Sequence, residues 1–146
     1  MKKLAFLLIG LCFASVSTFA QTKAVSSFIS EYNGTKIDTV VNAGVKNQIL
    51  KATRGASVLS IQVTATKISG TTAGVVRVFG SNDKQAWIRV QEAAALGAAD
   101  SLNLANVATQ TKLFKEQPSK FLYYRVAVTG SGTQSTKFIT TAVGAQ

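Results

Sequence analysis

In 146 residues there is no histidine and one cysteine, which excludes a Ser-His-Asp triad, a Cys-His nucleophile pair and any histidine-built zinc site. Sixteen Lys and Arg against six Asp and Glu give a net charge of +10, spread along the chain without a basic block. That spacing suits diffuse attraction to acidic partners better than a nucleic-acid groove.

The chain opens like a secretory leader. Lys2 and Lys3 are followed by an apolar stretch over residues 4–13 and by small residues ending in Thr18-Phe19-Ala20. Ten apolar residues fall short of the roughly 20 that a spanning helix needs. We therefore expect cleavage after Ala20, a mature chain starting at Gln21, no membrane span, and a secreted, periplasmic or cell-surface location. Leu11 stands where a lipobox needs a small residue, so Cys12 is not expected to carry lipid. Cys12 leaves with the leader, and so do two of the 16 basic residues. Fourteen then stand against six acidic ones, a net +8, in a domain with no disulfide that must hold together by core burial.

Residues 21–34 have no settled period and are read as an N-terminal arm, with Asn33-Gly34-Thr35 a formal glycosylation sequon. A single domain is expected over residues 35–146. Residues 37–41 and 45–50 form a weak strand pair around Asn42-Ala43-Gly44. Over residues 57–67, Leu59, Ile61, Val63 and Ala65 alternate with Ser60, Gln62, Thr64 and Thr66, the pattern of a strand with one dry face. Residues 75–79 lead into Gly80-Ser81-Asn82-Asp83-Lys84 and out again over 86–91, which reads as a hairpin.

Residues 92–96 have helical propensity for one turn, and at least one short strand is expected later in 92–117. Residues 121–129 and 137–143 form a third pair around Gly130-Ser131-Gly132-Thr133, with Leu122, Tyr124, Val126 and Val128 on one face and Phe121, Tyr123, Arg125 and Ala127 on the other. Seven to eight short strands with turn signals between them describe an all-β, antiparallel sandwich or jelly roll.

Chemistry is sparse. Glu31, Asp38, Asp83, Glu92, Asp100 and Glu116 are scattered singly, which does not suit a glycosidase carboxylate pair. Ser81-Asn82-Asp83-Lys84 has the Ser-x-x-Lys spacing of penicillin-binding enzymes, but it lies in a turn where that motif needs a helix. Gly130-Ser131-Gly132 lacks the helix of a phosphate loop. No catalytic residue, metal ligand or cofactor is expected.

What remains is a recurring pair of an arginine and an aromatic two residues apart: Arg77 and Phe79, Trp87 and Arg89, Tyr123 and Arg125. Side chains two apart on a strand share a face. Two readings follow. Trp87 and Tyr123 are core aromatics with arginines at the sandwich edge, or the six residues form a ligand-binding platform. The partners such a platform would take are a glycan or an anionic cell-surface polymer. Copies of the chain or other assembly proteins are the alternative partners.

The run Val75-Val76-Arg77-Val78-Phe79-Gly80-Ser81-Asn82-Asp83 with Trp87, then Tyr123-Tyr124-Arg125-Val126 and Thr129-Gly130-Ser131-Gly132-Thr133, resembles small β-sandwich structural proteins of bacteriophage virions. It is less closely similar to discoidin-type carbohydrate-binding jelly rolls. The resemblance covers about residues 56–143. It implies non-catalytic binding or packing, and it transfers no ligand residues. The expected function is an exported binding or structural module, with a phage or prophage virion protein as the alternative.

Overall fold

The computed structural model describes residues 29–30, 37–52, 58–90 and 100–145. The leader, most of the arm and residues 92–96 lie outside them. Ten strands are present among the described residues, and no helix. They are β1 (Ile29–Ser30), β2 (Ile37–Val41), β3 (Val45–Lys51), β4 (Val58–Gly70), β5 (Gly74–Ser81), β6 (Ile88–Arg89), β7 (Ser101–Leu104), β8 (Thr109–Glu116), β9 (Tyr123–Gly130) and β10 (Gln134–Ala145). One sheet runs β1-β3-β9-β5-β6, with β7 also on β5; the other runs β2-β10-β4-β8. All pairings are antiparallel. The expected all-β sandwich is therefore present. Its extra strands are short ones and the polar β7 and β8. Ile29 and Ser30, inside the expected arm, pair with Leu50 and Lys51 of β3.

Alternation builds the core. Leu59, Ile61, Val63 and Ala65 of β4 face inward, as do Val76 and Val78 of β5 and Tyr124, Val126 and Val128 of β9. Phe114, Tyr124 and Phe138 are its fully buried aromatics. The inward period of β9 begins only at Tyr124. Leu122, expected on the face of Tyr124, is exposed, while Phe121 packs against the core with its ring lying on the Gly80 backbone. A Cβ on Gly80 would come within 1.9 Å of that ring, so the ring needs glycine beneath it.

Two expected pairings do not form. β2 and β3 lie in different sheets, and so do β9 and β10. Their connections cross the sandwich instead of closing hairpins, because each strand buries an apolar face against the opposite sheet and finds its ladder elsewhere. Among the described residues, β5 and β6 are the one sequence-adjacent pair that shares a ladder.

The crossings are held by buried polar contacts. Gln134, 3% exposed, sends its amide nitrogen to the carbonyls of Ala73, Ser131 (3.0 Å) and Asn42 (3.4 Å), one in each of three crossings. Its oxygen accepts from the Thr136 hydroxyl at 3.0 Å, which meets the Thr72 hydroxyl at 3.1 Å. At the other end, the Tyr124 hydroxyl donates to Glu116 across the two sheets and lies 2.9 Å from the Ser119 hydroxyl. Burial pushes the Glu116 carboxyl up, against the opposing effect of that hydrogen bond. Burial, then the carboxylate, pushes the Tyr124 hydroxyl well above its ordinary range.

Candidate functional site

The outer face of the six-stranded sheet carries the arginine and aromatic residues picked out by their spacing. Register puts Phe79 of β5 directly opposite Arg125 of β9 on one side and Arg89 of β6 on the other. One step along, Tyr123 pairs with Ser81 and with Lys51 of β3; one step back, Arg77 pairs with Ala127. Because Val76, Val78, Tyr124 and Val126 point inward, their neighbours must point out.

The contacts are specific. The Arg125 guanidinium lies 4.6 Å from the Trp87 ring centroid and 4.8 Å from that of Phe79. Lys84 holds its ammonium 4.6 Å above the Tyr123 ring. Each such contact contributes on the order of 0.5–2 kcal/mol, more where water is excluded. Arg89 donates to the Asp100 carbonyl at 3.1 Å, and Arg77 is exposed. The structure thus brings Phe79, Trp87 and Arg125 into contact, sets Tyr123 and Arg89 beside them, and leaves Arg77 at the margin. Trp87 and Tyr123 are half-buried on this face, outside the core cluster. The alternative reading, in which they fill the core, does not hold; Phe114, Tyr124 and Phe138 take that place.

Trp87 is positioned by the turn before it. The Ser81 hydroxyl donates to Asp83 at 3.0 Å and accepts from the backbone of Lys84 at 2.8 Å. Asp83 Oδ1 also accepts from the backbone N–H of Gln85 (2.8 Å) and Ala86 (3.1 Å). Those two N–H groups, then the Ser81 hydroxyl, hold the Asp83 carboxyl below the ordinary carboxylate range. Lys84 takes a positive φ of 64°, and its carbonyl accepts the Trp87 indole N–H at 3.0 Å. Asn82 accepts from the backbone of Leu122 at 3.0 Å, tying the turn to the start of β9.

The Ser-x-x-Lys spacing is therefore spent on a side-chain-braced turn. Replacing Asp83 by alanine is expected to free Trp87, the sole tryptophan, and red-shift its emission with little change in the global unfolding midpoint. An unchanged spectrum would show that the turn does not hold the ring.

Lys84 and Lys51 belong to this face but carry no aromatic or arginine two residues away, so the spacing argument passes over them. Asp83, in the turn at the rim, is the carboxylate among the described residues that joins the cations Arg77, Arg89, Arg125, Lys51 and Lys84 here. The Asp100 carboxylate is ion-paired with Lys112. Among the described residues, no group of three or more Asp, Glu, Cys or His could hold a metal ion, and no helix is long and apolar enough to cross a membrane.

No protein-family profile and no curated protein matches this chain. Solved structures do. The enzymatically active domain of tailspike protein 4 from bacteriophage CBA120 superposes with a TM-score of 0.51 at 10% identity, over 74% of this chain and 15% of that one. The PBSX exported protein XepA superposes at 0.53 and 11% identity, over 82% of this chain and 36% of that one. A CBM4 structure gives 0.47 at 18% identity, over 88% and 81%. This chain therefore spans well under half the length of the first two of these structures. At 10–11% identity these likenesses concern the fold: the same kind of β-sandwich occurs in the tailspike domain and in XepA.

Proposed function

We propose that this protein is an exported, non-catalytic binding module that holds a cell-surface glycan or polymer on the outer face of its six-stranded sheet. The observation that carries the reading is the convergence of Phe79, Trp87 and Arg125 outside the core, on a face where folding does not require aromatic rings. Rings and guanidinium groups left half-exposed are the residue types that make strong contacts with partners. An exported origin accords with the leader-like residues 1–20.

The test uses mature protein secreted by an export-competent host. Its first residue should be Gln21, and an intact Met1 would overturn export. Wild type is expected to bind at least one member of a glycan panel, and Trp87→Ala to bind about tenfold more weakly while keeping its unfolding midpoint within a few degrees. If Trp87→Ala unfolds at a much lower temperature, or binds as wild type does, the face is structural. The second reading, a structural part of a phage particle, draws on the fold likeness to the tailspike and to XepA. It predicts binding to phage tail or capsid proteins and to no glycan.

A further inference from the structure

We infer that the ligand of this face is an acidic polysaccharide, recognised through its carboxylate or sulfate groups; this rests on the proposed binding role. A neutral sugar is held mainly by stacking its apolar face on an open aromatic ring. Here the rings already face cations of the chain itself. One guanidinium, Arg125, lies within 4.8 Å of both the Phe79 and Trp87 centroids, and Lys84 lies 4.6 Å from that of Tyr123. The aromatic surface therefore serves to position positive charge.

Stacking uses the flat sides of a guanidinium and leaves its in-plane N–H donors, the arrangement that grips carboxylate, sulfate or phosphate in a fork. Among the described residues nothing accepts a hydrogen bond from Arg125; its Nε is buried, so an anion would be met through the terminal Nη donors of this half-buried side chain. Arg77, two residues from Phe79 on the same face, is exposed and carries no ion pair among the described residues. The carboxylate at the rim, Asp83, spends Oδ1 on three donors of its own turn. Arg77 and Arg125, two residues apart along paired strands of one sheet face, form a site for repeated negative charge. An acidic polymer supplies such charge along its length.

The experiment compares polygalacturonate with its fully methyl-esterified form, which keeps the sugar backbone and removes the charge, beside a neutral panel of xylan, cellulose and β-glucan. Wild type is expected to bind polygalacturonate about tenfold more tightly than the ester, and to lose most of that binding between about 0.05 and 0.5 M salt. Arg77→Gln with Arg125→Gln should weaken it about tenfold. Lys115→Gln with Lys137→Gln, which removes equal charge from the outer face of the other sheet, should leave it unchanged.

Equal loss in both double variants would overturn the inference in favour of diffuse charge. Equal binding of acid and ester, or Trp87-dependent binding to a neutral glycan alone, would also overturn it and leave the binding role standing. Binding to nothing in either set would remove both.

Discussion

Gln134→Leu is expected to lower the unfolding free energy by about 3 kcal/mol and the melting midpoint by about 10 °C. Leucine fills the same volume but donates nothing. The carbonyls of Asn42, Ala73 and Ser131 then lose the amide that reaches all three, and the Thr136 hydroxyl loses its acceptor. A buried acceptor left unpaired costs about 1–3 kcal/mol, and only part of that is recovered where a loop can turn to water. Urea unfolding measures it directly. A loss under about 1 kcal/mol would show that the backbone contacts between the same loops, Asn42 to Gln134 and Ser131 to Ala73, hold the crossings by themselves.

Tyr124→Phe is expected to cost about 1–3 kcal/mol near neutral pH, because it takes the hydroxyl donor from the buried Glu116 carboxylate and leaves it the backbone N–H of Lys120. The pH dependence follows from the same pair. Burial raises the folded-state pKa of Glu116 above its ordinary 4.5, so between those values the folded protein binds more protons than the unfolded chain. Stability must then fall as pH rises from about 4.5 through the raised value. Glu116→Gln keeps an oxygen for the Tyr124 hydroxyl and cannot ionise, so its stability should be flat over that range. A slope that survives in Glu116→Gln would place the titrating group elsewhere. The Tyr124 hydroxyl, also raised, adds a fall of the same sign above pH 10.

Strands that bury one apolar face against the opposite sheet were legible in the sequence. β4 shows it best, since Leu59, Ile61, Val63 and Ala65 leave no other period open. β8 shows it least. Its inward positions are Gln110, Lys112, Phe114 and Glu116, an edge strand whose inner face is polar at three positions of four, so alternation of hydrophobicity does not mark it. Pairing was illegible for a different reason. Asn42-Ala43-Gly44 and Gly130-Ser131-Gly132 have the small and polar residues of hairpin loops, but those residues satisfy any sharp reversal, including one that passes from sheet to sheet. The site was legible in part. Spacing of two places each arginine and aromatic pair on one face, but only the β9-β5-β6 order makes three pairs one surface. The braced turn at Ser81 and Asp83, which sets Trp87 and Lys84, has no signal beyond turn composition.

The place of β10 between β2 and β4 has a consequence for how the protein comes into being. The last of the described strands is an inner strand of its sheet, and it meets β2, from the other end of the described chain, through Ile139 opposite Ile37. Until β10 is made, β4 and β8 can pair but β2 has no partner in that sheet. Apart from the short ladder of Phe79 and Gly80 with Ile88 and Arg89, described strands find partners only across long stretches of sequence, which places folding in the millisecond-to-second range. A chain cut before Gln134 should stay open however long it is given, and added residues 134–146 should close it in trans.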